Sequence, residues 1–141
     1  MGEKKKTRWA ILLIPLGLGA AACSRREPQA PLPPVTPQLL LAMASDPVVV
    51  AEGKELFVTI CVSCHGAEGQ GIVGPNLTDE VWLHGGSPME IHTSISKGSP
   101  DKGMAPMENL LGPRKVRQLT AYVLSLKGKN VPGRPPEGKA D

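Results

Sequence analysis

Large aromatic side chains are scarce in this 141-residue sequence, which has one Phe, one Tyr and two Trp. Trp9 lies in a basic leader, so Phe57, Trp82 and Tyr122 are left to serve a whole domain, and something other than aromatic rings is expected to fill part of the core. An excess of charge is missing as well. The formal net charge is +3, but Glu3, Lys4, Lys5, Lys6 and Arg8 all fall in the first nine residues, and without them the chain has twelve basic and twelve acidic groups. A nucleic-acid binder therefore has no support from charge. No alternating strand pattern occurs, no repeat is visible, and the length excludes a multidomain enzyme. A long hydrophobic run is also lacking: residues 10–22 (AILLIPLGLGAAA) give thirteen apolar or small positions, interrupted by Pro15, Gly17 and Gly19. A membrane-spanning helix needs about 20.

Basic residues, a short apolar run and small residues before Cys23 are the layout of an export signal. With Ala20, Ala21 and Ala22 directly ahead of it, Cys23 resembles the lipidated cysteine of a bacterial lipoprotein. This implies a signal peptide over residues 1–22, a lipid anchor on Cys23 and a place on the periplasmic side of the cell envelope. The alternatives are ordinary cleavage or an uncleaved anchor. Export to an oxidising compartment makes a lipidated third cysteine easier to accept than a free one. Residues 23–45 hold Pro28, Pro31, Pro33, Pro34 and Pro37 and are expected to form an extended tether. At about 3.1 Å per residue, such a tether would reach roughly 60 Å.

Helices are expected over residues 46–128. Asp46 as N-cap and Pro47 at the first helical position open one that should end near Gly66, with Val49, Gly53, Leu56, Phe57 and Ile60 on one face. Gly66, Gly69, Gly71 and Gly74 then form a loop suited to wrapping something closely. Ser87-Pro88-Met89-Glu90 is a capping box, and Gly98 closes the helix that follows. A last helix runs from Pro113 to about Lys127, with Val116, Leu119, Val123 and Leu126 inward and Gly128 as its stop. Residues 129–141, with Pro132, Pro135 and Pro136, read as a non-helical tail. The fold class is small and all-α.

Cys61-Val62-Ser63-Cys64-His65 carries the chemistry. Cysteines three apart on a helical turn project to one side, and a histidine four after the first lies on the same face. That spacing suits two thioethers to the edge of a haem whose iron the adjacent imidazole reaches. Three other uses of these residues remain open: a redox-active thiol pair, a structural disulfide, and a zinc site drawing on two of His65, His84 and His92.

The motif resembles class I c-type cytochromes. More narrowly, Gly74-Pro75-Asn76-Leu77-Thr78-Asp79-Glu80-Val81-Trp82-Leu83-His84-Gly85-Gly86, then Lys102-Gly103-Met104, then Tyr122-Val123-Leu124-Ser125-Leu126, looks like the cytochrome c subunit domains of cbb-type haem-copper oxidases. The resemblance covers about residues 47 to 137. It implies one covalent haem c on Cys61 and Cys64, His65 as proximal iron ligand, and the Pro75 carbonyl bound to the far imidazole nitrogen. It also implies a helix crossing at Gly53, Phe57 and Tyr122, and Trp82 against the porphyrin or a propionate, with plain core packing as the alternative for that residue. The second axial ligand comes from Met104, Met107, His84, His92 or water, and the family position is that of Met104. His84 is expected to be a hydrogen-bonded loop residue and His92 a structural one.

With both axial positions filled by protein, one-electron transfer is the remaining chemistry. The expected function is a membrane-tethered carrier in a respiratory chain, to or within a terminal oxidase. Its partners would be a redox donor and a redox acceptor, with no nucleic acid and no small-molecule substrate. The competing functions are a small peroxidase-like haem enzyme with an open sixth position, and a non-catalytic metal-binding lipoprotein. Lys97, Lys102, Arg114, Lys115 and Arg117 are expected to form a basic docking rim, against the alternative of an ordinary solvated face offset by Asp101 and Glu108.

Overall fold

The computed structural model describes residues 30–140, so the expected signal peptide and Cys23 lie outside the described residues. From Leu32 onward the chain forms one compact unit. Its elements are α1 (Pro37–Ala44), α2 (Pro47–Ile60), α3 (Val62–His65), β1 (Val81–Trp82), α4 (Pro88–Lys97), a 3-10 turn (Pro100–Lys102), α5 (Met107–Leu126) and β2 (Lys139–Ala140).

The anticipated caps are in place. Asp46 Oδ1 accepts from the Val48 amide at 2.9 Å, and Ser87 and Glu90 form the reciprocal capping box of α4. α5 packs on α1, α2 and α4. Phe57, Ile91, Ile95, Val116, Leu119, Tyr122, Val123 and Leu126 make the core with Trp82. Gly53 sets the α2–α5 crossing, because a Cβ there would stand 2.8 Å from Tyr122 Cβ and strike the Gln118 carbonyl. Below the crossing, the Phe57 and Tyr122 rings meet at 5.1 Å and 59°.

Four expectations change. Residues 37–44, read as tether, are α1: Thr36 Oγ1 accepts from the Leu39 amide at 3.1 Å, Pro37 sits at the first position, and Leu40 is fully buried. Burial of Leu40, the Thr36 cap and packing of α1 on α5, α2 and α4 fold a segment whose prolines read as extended. The first long helix breaks at Cys61 (φ −96, ψ −24) and resumes as α3, which ends at Gly66. The last helix gains a turn before Pro113, with non-helical Gly112 (φ 77, ψ 164) at the join. Residues 129–140 are no free tail: β2 pairs antiparallel with β1, Val81 opposite Ala140 and Trp82 opposite Lys139. Two-residue strands are too short to leave an alternating pattern.

Candidate functional site

The break at Cys61 and the short α3 put Cys61, Cys64 and His65 on one turn, with the His65 amide bonded to the Cys61 carbonyl at 2.9 Å. The glycine loop folds back over this turn. Ile72, Val73 and Gly74 amides all donate to the Cys64 carbonyl (3.0, 3.1 and 2.9 Å), and the Gly71 amide donates to the His65 carbonyl at 2.7 Å. Only glycine fits where the loop meets the ring: a Cβ on Gly74 would lie 2.8 Å from His65 Cε1.

His65 is the best-defined group of the site. Its Nδ1 lies 3.0 Å from the Pro75 carbonyl. A carbonyl only accepts, so Nδ1 carries the proton and Nε2 keeps its lone pair. Burial holds the imidazole below its ordinary pKa, against the opposing pull of the Pro75 bond. The ring is therefore a neutral imidazole in a fixed orientation, the state in which histidine can bind metals. Phe57 backs it at a centroid distance of 6.5 Å.

Both site cysteines are free thiols, Cys61 half-buried and Cys64 exposed. Burial, and then the neighbouring Cys64, push the Cys61 thiol up to about 11. A redox-active pair needs the opposite, a thiolate stabilised at neutral pH. The zinc alternative also loses ground, since among the described residues no group of three or more His, Cys, Asp or Glu side chains is placed to hold a metal ion. His84 points elsewhere, with Nε2 3.4 Å from Ser99 Oγ. His92 sits in α4, where burial and Arg117 lower its pKa.

Three features fit a large flat cofactor with carboxylate arms beside His65. Trp82 is buried, yet its Nε1–H has no partner among the described residues. Ile72 and Val73, whose amides bond to Cys64, hold apolar side chains out to solvent beside the motif, at 60% and 70% exposure. Gly74 leaves the imidazole edge clear of side-chain atoms. Met104 stands in the loop between the 3-10 turn and α5, its backbone paired with Ser99.

Sequence reasoning missed the buried network that shapes the loop after Pro75. Asn76 Oδ1 accepts from both the amide and the hydroxyl of Thr78 (2.8 and 2.7 Å), and Thr78 is fully buried. An Asn two residues ahead of a Thr is a local turn signal that would have pointed to it. The expected basic rim does not assemble as one surface: Lys115 lines a groove with Glu52 and Glu55, whereas Lys97 lines another with Glu90 and Asp101. Arg117 is half-buried between helices rather than at a rim.

A family model described as cytochrome c oxidase, cbb3-type, subunit III matches residues 48–123. The cbb3-type cytochrome c oxidase subunit CcoP of Rubrivivax gelatinosus is 45% identical over 89 residues, covering 62% of this chain and 29% of that protein. Its counterpart in Azospirillum sp. (strain B510) is 39% identical over 93 residues, 57% of this chain and 31% of the relative. The chain thus spans about three tenths of the length of these relatives. Among solved structures, cytochrome cL from Methylophaga aminisulfidivorans MPT superposes with a TM-score of 0.52 at 24% identity, over 67% of this chain and 76% of that one. The fold is therefore the all-α class I cytochrome c arrangement expected from the sequence.

Proposed function

Because the chain belongs to the cbb3-type cytochrome c oxidase subunit III family, whose model matches more than half of its residues, we propose that it is a one-electron carrier with a single covalent haem c. The observation that carries this reading is the His65 Nδ1–Pro75 carbonyl bond of 3.0 Å, which leaves the Nε2 lone pair available to an outside ligand on the same turn as two free thiols. When bound, haem supplies an iron that takes up and releases one electron. Every other task falls to the chain. Cys61 and Cys64 would form the thioethers, and His65 Nε2 would bind the iron. The Pro75 carbonyl fixes its ring plane and raises its basicity. The Met104 thioether would be the second protein ligand to the iron, a soft donor that favours the reduced state. The buried Trp82 Nε1–H offers a hydrogen bond to a propionate, since a buried donor left without an acceptor costs about 1–3 kcal/mol.

With His65 and Met104 both holding the iron, no position would be left for a substrate, and the chain would be an electron-transfer component rather than an enzyme in its own right. Its donor and acceptor are redox proteins, the acceptor belonging to or being a cbb-type oxidase. Among the described residues no helix is long and apolar enough to cross a membrane. The membrane attachment we propose is a lipid on Cys23, with residues 1–22 as signal peptide and the domain on the periplasmic side. A coulometric titration of the purified protein tests the carrier function. One electron per chain at a single midpoint potential supports it, and zero or two electrons would overturn it.

A further inference from the structure

Residues 129–140 lie beyond the stretch that the family model matches, yet their contacts converge on one target. The Asn130 amide donates to the Thr78 carbonyl at 2.8 Å, the Val131 amide to Thr78 Oγ1 at 2.9 Å, and the Val131 carbonyl accepts from Asn76 Nδ2 at 3.2 Å. The Arg134 amide donates to the Gln70 carbonyl at 2.9 Å. β2 then closes on β1. All of these partners fall between Gln70 and Trp82, the segment that carries Pro75. The approach is close enough to demand glycine on both sides. A Cβ on Gly71 would stand 2.9 Å from Arg134 Cβ, and one on Gly133 would run into the Gln70 backbone.

The Arg134 side chain makes the contact with most consequence. Its guanidinium donates through Nη1 to the Val73 carbonyl, and through Nε and Nη2 to Glu137 Oε1 at 2.9 and 2.7 Å. The Val73–Gly74 peptide is thereby gripped at both ends, its carbonyl by Arg134 and its N–H by the Cys64 carbonyl at 2.9 Å. Gly74 is the residue that lies against the His65 ring, and the carbonyl of the following residue, Pro75, is the one that accepts Nδ1–H. A shift of this peptide would move both constraints on the imidazole together. Glu137 holds the guanidinium in one orientation, so the hydrogen bond to Val73 comes from a planar fork already fixed in place.

We propose that Arg134 is a positioning residue for the His65–Pro75 pair, and that residues 129–140 are the strap that delivers it to the loop. The tethering of the loop stands on the geometry alone, whereas the effect on an iron ligand rests on the function proposed above. The experiment separates the two by reading amide exchange and reduction potential in the full-length, haem-loaded protein. In Arg134→Gln the Ile72, Val73 and Gly74 amides should exchange about tenfold faster than in the unaltered protein, while Leu119 to Val123 in α5 keep their rates. The midpoint potential should shift as well, and Arg134→Lys should recover part of both changes. Equal acceleration in α5, or unchanged exchange at residues 72–74, would overturn the strap. A faster loop with an unmoved potential would overturn the positioning role. If Arg134→Gln fails to fold, Glu137→Gln takes its place: the strap requires faster exchange at Val73 and Gly74 there too, and unchanged rates contradict it. A chain without covalent haem would sink the proposed function and still leave the exchange comparison readable.

Discussion

Ser99 and Met104 exchange both backbone hydrogen bonds, the Ser99 amide to the Met104 carbonyl at 2.9 Å and the Met104 amide to the Ser99 carbonyl at 3.1 Å. The pair closes a ring over the 3-10 turn, with Gly103 in the left-handed region (φ 82, ψ 6) supplying the reversal. Met104 is thus held by its own backbone, and the residue is half-buried. Met107, three residues on, opens α5 and packs against the core.

That difference separates two variants. Met104→Ala should leave thermal stability of the polypeptide core nearly unchanged, abolish the sulfur-to-iron absorption of the oxidised protein and make the reduced protein reactive with carbon monoxide. Met107→Ala should keep the spectrum and lose about 1–2 kcal/mol of stability from the vacated space, less than a fully buried methionine would. Spectra of both variants with and without carbon monoxide decide it, and exchanged phenotypes would move the ligand to Met107.

Gly74→Ala tests the fit of loop to ring. The new methyl would lie 2.8 Å from His65 Cε1 and 3.0 Å from Nδ1, so the imidazole or the loop must move. We expect a changed axial-ligand spectrum and a shifted midpoint potential. Gly112→Ala is the control, since nothing lies within 4 Å of its Cβ. Its φ of +77 costs about 1–2 kcal/mol of backbone strain without touching the imidazole or the Met104 loop. Equal spectral effects from the two substitutions would contradict the account.

How much of this was legible depended on whether a feature is written in side chains or in backbone partners. The motif from Cys61 to His65 and the caps at Asp46 and Ser87 are local signals, each readable within five residues. Pro75 and Met104 were reached only through the family likeness, because nothing in their own spacing ties them to His65. α1 was hidden because its fold depends on Leu40 finding α5, about 75 positions away and without a periodic stripe to announce it. The strap was hidden for a related reason: Asn130, Val131 and Arg134 bond through backbone groups or to backbone carbonyls, and every sequence has those. The basic rim was misjudged because a one-dimensional cluster does not show that Lys115 and Lys97 line separate grooves with acidic neighbours or that Arg117 is half-buried.

His92 gives a pH dependence of known sign. Burial and the nearby Arg117 hold it below its usual value of 6.5, with Glu108 pulling the other way. The unfolded chain therefore binds this proton at higher pH than the folded one. The contribution to stability is complete above about pH 6.5 and is lost as the pH falls through that value toward the folded pKa. The thermal midpoint of the haem-loaded protein should drop on going from about pH 7.5 to about pH 5.5, and His92→Gln should flatten that slope. Parallel slopes in the two proteins would rule this out.

Cys23→Ser addresses attachment to the membrane. The variant is expected in the soluble fraction of disrupted cells with its visible spectrum intact. Retention in the membrane fraction would instead favour an uncleaved anchor or tight binding to a membrane partner.

The most direct test of the central claim is the mass of the proteolytic peptide that contains Cys61 to His65, taken from protein exported in a haem-attaching host. The account predicts one peptide carrying a single haem through both Cys61 and Cys64, retained after denaturation and acidified organic solvent. A bare peptide with two free or disulfide-linked cysteines, or haem that extracts freely, would contradict it.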